Sequence, residues 1–171
     1  VYAASAQIIN EVYRRVVLPL GPLSKLPKGF VSDHGEEIAS MWLQDLRVSA
    51  QTPSYSVVSD AELVNASEFA LTQVNQYFSG DSSDDNIGEF FHNLGATRAA
   101  QGLPLPELIS AILLLKREVW MSARTHGVWE SAADLQKAVD LSRELGRFFD
   151  RAVYYSTAGY TGAPLRGKDV F

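Results

Sequence analysis

The chain has 171 residues, of which 46% are hydrophobic and 20% charged, and its formal net charge is −5 at pH 7. These values are typical of one globular domain with its own core and exclude an intrinsically disordered chain. The lack of cysteine excludes disulfides, thiolate metal sites and thiol nucleophiles, and basic residues that occur at most in pairs argue against nucleic-acid binding.

The first segment predicts a short amphipathic helix over residues 3–17, followed by a connector. Apolar side chains recur in this helix at helical spacing. Pro19, Pro22 and Pro27 then interrupt regular structure, because each proline lacks an amide donor and restricts the residue before it. We therefore assign residues 1–31 to an N-terminal helix and a proline-rich connector.

Two capping boxes mark the starts of the second and third predicted helices. Glu36 follows Asp33 by three residues, and Glu62 follows Ser59 at the same spacing. A side-chain oxygen at the first position of such a pair accepts a hydrogen bond from a free amide of the first helical turn. The apolar stripes of these helices are predicted to contain Ile38, Met41, Trp42, Leu46, Leu63, Ala66, Ala70, Val74, Tyr77 and Phe78.

The fourth and fifth predicted helices meet at a tight corner. The fourth covers residues 86–101, and Gly102 is suited to terminate it in a left-handed conformation. Pro104 fits the first turn of the fifth helix, where its missing amide has no partner in any case. Arg98 and Glu107 flank this corner, so we expect a charge-assisted bond between them that fixes the angle between the helices.

The last predicted helix is unusually long and ends near Ser156. Apolar and small residues recur along it at alternating spacings of three and four, a pattern typical of helices that pair along their length. We expect the chain to form a homodimer through this seam. Its predicted contact residues are Leu135, Ala138, Leu145, Phe149 and Ala152.

Together these elements predict an all-α fold, either globin-like or of the four-helix-bundle type, with about six helices and a long C-terminal helix. The helical domain is expected to cover residues 32–157, and residues 158–171 read as a tail or linker because of their glycines and proline. No stretch approaches the roughly 18 to 20 apolar residues that span a bilayer, and the N-terminal pattern is not that of a secretion signal. We therefore expect a cytoplasmic protein without membrane insertion.

The three histidines are the candidates for ligand or metal chemistry, and none has a partner at a suitable sequence spacing. His92 could be a haem axial ligand in a globin-like fold, and Glu89 with His92 matches one half of a di-iron motif. His126 is suited to capping a helix C-terminus. A metal site at His34 would need a partner from elsewhere in the chain. We accordingly predict no metal and no cofactor.

Sequence motifs of catalysis are missing. The chain contains no phosphate-binding loop, dinucleotide fingerprint, nucleophile elbow or zinc-protease helix. Adjacent carboxylates such as Glu36 and Glu37 point in different directions on a helix and do not form a hydrolase pair. No catalytic residue is predicted, and we expect the chain not to be an enzyme.

The stretch NLGATRAAQGLPLPEL at residues 93–108 resembles the signature of the N-terminal domain of RsbT co-antagonist proteins, the RsbR/RsbRD-type sensory domain. IASMW at 38–42 and LGRFFDRA at 145–152 resemble the opening and closing helices of such domains. The resemblance implies an all-helical sensory domain that acts on a STAS domain or a histidine-kinase core in a stress response, and globin-like relatives are described as lacking haem. Pro104 and Pro106 depart from the family pattern, in which a hydroxyl cap is usual.

We therefore expect a non-catalytic sensory and dimerisation domain. A ligand would be small and apolar, in a pocket between the fourth, fifth and sixth predicted helices. The candidate pocket residues are Phe91, His92, Arg98, Gln101 and Trp120. Three alternatives stay open: a haem or other cofactor-binding sensor with His92 as ligand, a small helical enzyme, and a plain protein-interaction scaffold.

Overall fold

The computed structural model describes residues 26, 29–80, 84–126 and 132–165. These residues form five α-helices and one short 3-10 helix, and they contain no β-strand. The elements are α1 (Phe30–Val48), the 3-10 helix (Pro53–Val57), α2 (Asp60–Ser79), α3 (Asp84–Ala100), α4 (Leu105–His126) and α5 (Ala132–Tyr160). The predicted all-α fold with a long C-terminal helix is confirmed, and the helix predicted over residues 3–17 lies outside the described residues.

The helix ends follow local backbone chemistry. Ser59 Oγ accepts a hydrogen bond from the Glu62 amide at 3.3 Å, which confirms the predicted cap of α2. Gly102 follows α3 with φ 73°, the predicted left-handed conformation. The cap predicted at Asp33 is wrong: α1 begins earlier, because the carbonyl of Gly29 accepts the first helical bond, from the Asp33 amide at 2.8 Å.

The apolar stripes of all five helices meet in one core. Its fully buried side chains include Ile38, Leu46, Leu63, Val74, Ile87, Phe91, Leu108, Val119, Leu145 and Phe148. Burial of each such side chain contributes about 1.5–3 kcal/mol. Met41 was predicted to belong to the buried stripe of α1 but is 44% exposed. The stripe follows the row from Ile38 to Trp42, and Met41 lies on its solvent side.

Helices α3 and α5 pack backbone against backbone. A Cβ atom at Gly95 would lie 1.9 Å from the carbonyl oxygen of Ser156, and one at Gly159 would lie 1.9 Å from that of His92. No side chain fits at either crossing, so both positions require glycine. The predicted end of this helix near Ser156 is therefore wrong: α5 continues to Tyr160, because Gly159 serves the close approach and does not break the helix.

The seam predicted on α5 lies largely inside the core of the chain itself. Leu145, Phe149 and Ala152 are 1% exposed or less, so a second copy cannot contact them while this fold is intact. The dimer interface predicted at these three positions is thus corrected: spacings of three and four mark any buried helix face, and here the chain's own helices cover it. Leu135 is exposed and Ala138 half-buried, and a dimer role for these two stays a prediction.

The predicted domain boundaries at residues 31/32 and 157/158 both fall inside helices, since α1 and α5 run across them. The assignment of residues 1–31, 32–157 and 158–171 to separate parts stays a prediction. None of the five described helices combines the length and apolar content needed to span a bilayer.

Candidate functional site

A small cavity lies within the bundle where α1, α2, α3, α4 and the 3-10 helix meet. Its volume is about 30 Å³, which is room for a water-sized molecule. The lining is mainly apolar and consists of Trp42, Tyr55, Ala66, Ser67, Ala70, Phe91, Leu94, Arg98, Leu108, Ala111, Ile112 and Leu115. An organic ligand would fit only after these side chains move.

Two of the five predicted pocket residues line this cavity, and a ligand-binding role for them stays a prediction. Phe91 and Arg98 line the cavity, whereas His92, Gln101 and Trp120 lie outside it. Trp120 borders a separate, open groove between α4 and α5. Helices α3 and α4 line the cavity, as predicted. The prediction assigned the remaining walls to the last helix, whereas α1 and α2 form them. The reason is that the buried face of α5 packs on α3.

Arg98 forms the polar wall of the cavity and is only 3% exposed. Its Nη1 donates to the Glu62 carboxylate and, at 2.7 Å, to Gln101 Oε1. Gln101 Nε2 donates to the same Glu62 oxygen at 2.8 Å. The bonds from Gln101 and Arg98 stabilise the charged carboxylate and hold the pKa of Glu62 below its ordinary value. Gln101 thus contacts the polar wall of the cavity only through its hydrogen bonds to Arg98 and Glu62.

The bond predicted between Arg98 and Glu107 is wrong. Glu107 accepts hydrogen bonds from the backbone amide of Ser54 at 2.7 Å and from Ser54 Oγ at 2.8 Å. Ser54 belongs to the 3-10 helix. The corner between α3 and α4 is therefore held by two separate links, one from Arg98 to α2 and one from Glu107 to the 3-10 helix.

Tyr55 closes one side of the cavity and is 1% exposed. Burial raises the pKa of its phenol to about 12, and the guanidinium of Arg98, 5.9 Å from the ring centroid, offsets only part of this effect. Among the lining residues Tyr55 and Arg98 are the only titratable groups. A protonated phenol beside an already paired guanidinium does not form an acid–base pair, so the cavity is typical of a binding or structural site.

Sequence reasoning missed Trp42 and Tyr55 as cavity residues. Trp42 Nε1 donates to the carbonyl of Ala111 at 2.8 Å and ties α1 to α4 beside the cavity. Pro53 in the first turn of the 3-10 helix was the available signal for the position of Tyr55, but only the tertiary fold brings that turn onto α3 and α4.

None of the three histidines lines the cavity. His92 Nε2 is 2.8 Å from the carbonyl of Ala163, and its role as a haem ligand is untested by this contact. His126 Nδ1 is 3.0 Å from the carbonyl of Ser122, as expected of a helix C-terminal cap. The ring of His34 stacks on that of His126 with centroids 3.9 Å apart. The partner for His34 that the sequence spacing did not reveal thus comes from the end of α4.

A second polar cluster joins α1 to α4. Glu118 is 4% exposed and accepts a bond from Arg117 Nε at 2.8 Å, and Arg117 also pairs with Asp45. Burial raises the pKa of Glu118; the bond from Arg117 opposes this shift and the Asp45 carboxylate adds to it. The cluster lies outside the cavity and is suited to a structural role.

A model of the protein family described as the RsbT co-antagonist protein rsbRD N-terminal domain matches residues 36–166. Among solved structures, the chain is similar to the sporulation inhibitor pXO2-61 from Bacillus anthracis, with a TM-score of 0.62 and 20% sequence identity. The alignment covers 78% of this chain and 93% of that chain, and at this identity it shows a shared fold. A search of curated proteins finds no match.

Proposed function

The chain belongs to the RsbT co-antagonist protein rsbRD N-terminal domain family, and from this premise we propose that it is the signal-input domain of a bacterial stress-signalling protein. The observation that carries the proposal is the family match, which includes residues of every described helix. The proposed role is regulatory and non-catalytic, and it is supported by a cavity whose two titratable groups do not form an acid–base pair.

The input that the cavity favours is a small apolar ligand. The lining is mainly apolar, with the buried guanidinium of Arg98 at one wall. The present volume of about 30 Å³ is far below the roughly 300–1,000 Å³ of ordinary ligand pockets. Binding would therefore select an arrangement in which the helices stand further apart, and this difference between two states is what a sensor needs.

The proposed output element is α5. Phe148 of α5 packs against Phe91, which lines the cavity. The two glycine crossings at Gly95 and Gly159 also fix α5 to α3. A displacement of α3 would therefore move α5 along with it. The effector proposed from the family resemblance is a STAS-type or histidine-kinase domain or protein.

We further propose that the chain forms a homodimer through the outer stripe of α5, defined as Leu135, Val139 and Ser142. Leu135 is 66% and Val139 47% exposed, on consecutive turns of one helix face. Ser142 borders the open groove of about 230 Å³ between α4 and α5, and Leu113 and Trp120 line its other side. A second copy offers the same stripe and groove, which is the self-complementarity that a two-fold interface requires.

Native mass spectrometry of the chain, purified under non-denaturing conditions, tests the ligand proposal. We expect one small-molecule adduct per chain and its loss in the cavity-filling variant Ala111→Val, with Ala96→Val on the exposed face of α3 as the control. Circular dichroism checks that both variants fold. Bare chain alone in every preparation would contradict ligand input and favour a plain interaction scaffold.

A further inference from the structure

Two histidines and one glutamate from distant parts of the chain converge at one end of the bundle. His34 and Glu37 lie one turn apart on α1, and His126 is the last residue of α4. Glu37 Oε2 is 3.8 Å from His34 Nδ1 and 3.6 Å from His126 Nε2, and the three ligand atoms all lie within 4.8 Å of one another. We propose that these three side chains bind one divalent transition-metal ion of the Zn²⁺ class.

The distances from Glu37 to the two histidine nitrogens are close to the distances between ligand atoms around a bound metal ion. Two donors that are each about 2.0–2.1 Å from a tetrahedral ion lie about 3.4 Å from each other. The two distances from Glu37 exceed this value by a few tenths of an ångström. To bind one ion, the two imidazole rings must turn out of their present stacked arrangement, in which the centroids are 3.9 Å apart, so that their ring nitrogens point at the same position.

The contact between His126 and Ser122 orients one of the proposed ligands. The Ser122 carbonyl, 3.0 Å from His126 Nδ1, can only accept a hydrogen bond, so this contact favours the tautomer with the hydrogen on Nδ1. In that tautomer the lone pair is on Nε2, the nitrogen that faces Glu37. Metal-binding histidines are commonly held by a backbone carbonyl in this way. Ser122 itself is buried, so this support is part of the core.

The donor set decides which ions are expected. Two imidazole nitrogens and one carboxylate favour Zn²⁺ and similar ions over Mg²⁺ and Ca²⁺, which prefer oxygen ligands alone. Three protein ligands leave one position of a tetrahedral ion for water. The side chains of His34, Glu37 and His126 are 25%, 49% and 32% exposed, so an ion can reach them from solvent.

The bound ion would join the first helix to the end of the fourth. Because it would bind the folded chain and not the separated helices, it would stabilise the fold by linkage. None of the three proposed ligands lines the cavity or belongs to the outer stripe of α5, so the metal proposal and the proposed sensory function can be tested separately.

Isothermal titration of the full chain with ZnCl₂ tests the site. The protein is freed of any polyhistidine tag and treated with chelator first. We expect one Zn²⁺ per chain, no binding of MgCl₂, and a melting temperature that rises by roughly 5 to 10 °C at a hundredfold excess over Kd. His34→Gln, Glu37→Gln and His126→Gln should each weaken Zn²⁺ binding by about tenfold or more.

His92→Gln is the matched control, because this histidine contacts Ala163 and lies outside the cluster. It should bind Zn²⁺ like the unmodified chain. Glu37 is half exposed, so Glu37→Gln leaves the core intact and decides the question even where a histidine variant fails to fold. A chain that does not bind Zn²⁺, or a Glu37→Gln variant with unchanged affinity, overturns the proposal.

Discussion

Phe91 and Phe148 pack edge to face, with ring centroids 5.9 Å apart and ring planes at 74°. Phe91 lines the cavity, and Phe148 belongs to α5. Phe148 also contacts Tyr77 of α2, with centroids 5.4 Å apart. One buried ring of α5 therefore contacts both the cavity wall and a second helix, which makes it a direct physical link between the proposed input and the proposed output.

The glycine crossing of α3 and α5 should not tolerate a methyl group. Gly95→Ala would place its Cβ 1.9 Å from the Ser156 carbonyl, so the helices must separate. We expect a loss of about 3 kcal/mol or more in the free energy of unfolding, at or above the upper end of ordinary overpacking. Urea denaturation followed by circular dichroism measures this loss.

Gly146→Ala is the matched control for this prediction. It lies within α5, and the nearest atom to its added Cβ is the flexible end of Lys116 at 4.0 Å. The higher helix propensity of alanine should stabilise this variant by up to about 1 kcal/mol. Equal effects of Gly95→Ala and Gly146→Ala would rule out the backbone contact.

Ser156 has a buried hydroxyl with no hydrogen-bond partner among the described residues. A buried polar group without a partner costs about 1–3 kcal/mol. Ser156→Ala should therefore stabilise the chain by about 1 kcal/mol in urea denaturation. Ser67→Ala, at a hydroxyl that donates to the Val64 carbonyl at 2.7 Å, should instead destabilise it by about 0.5–1.5 kcal/mol. A destabilised Ser156→Ala variant would contradict the absence of a partner.

Replacing the buried Arg98 should destabilise the fold more than replacing an exposed arginine. Arg98→Leu removes the partner of Glu62, which is 41% exposed and can be hydrated in part, so we expect a loss of about 2 kcal/mol. Arg143→Leu, which breaks an exposed pair with Asp140, should cost less than about 0.5 kcal/mol. Similar melting temperatures for the two variants would show that the polar wall of the cavity is not structural.

The buried carboxyl of Glu118 should make the free energy of unfolding depend on pH. Burial raises the pKa of this carboxyl above 4.5, so the folded chain holds the proton more tightly than the unfolded chain. The contribution of protonated Glu118 to stability is complete below the ordinary carboxyl pKa and is lost as pH rises through the raised pKa. Glu118→Gln resembles the protonated form and should escape this loss.

The free energy of unfolding of Glu118→Gln, relative to the unmodified chain, should therefore increase as the pH rises from the ordinary carboxyl pKa through the raised pKa of Glu118. Urea denaturation at several pH values measures the difference. The same substitution at an exposed residue of α3, Glu89→Gln, is the control and should follow the unmodified chain. A pH-independent difference between Glu118→Gln and the unmodified chain would exclude the shifted pKa.

The features that the sequence predicted well are local ones. The cap at Ser59 and the left-handed Gly102 depend on neighbouring residues, and the helical periods depend on side chains within a few turns. The fold class followed from them. The 3-10 helix at Pro53–Val57 was missed because its five residues are too short to show a period.

The features that the sequence did not predict depend on tertiary contacts. The pattern of α5 marked one apolar face but not whether the chain's own helices or a second copy covers it. Gly159 read as a helix breaker because close backbone approach has no local signature. Arg98 was expected to pair with Glu107 across the corner between α3 and α4, but in the fold it pairs with Glu62 of α2. The stacking of His34 on His126 likewise depends on α1 and α4 lying side by side.

Helix α5 buries its inner face in the core, and we propose that its outer stripe contacts a second copy of the chain. Sedimentation velocity of the unmodified chain and of a Leu135→Glu, Val139→Glu double variant tests it most directly, with Ala96→Glu as a control for added charge at an exposed helical position. We expect a dimer for the unmodified chain and the control, and a folded monomer for the double variant. An unmodified chain that stays monomeric at high concentration, or a double variant that still dimerises, would contradict it.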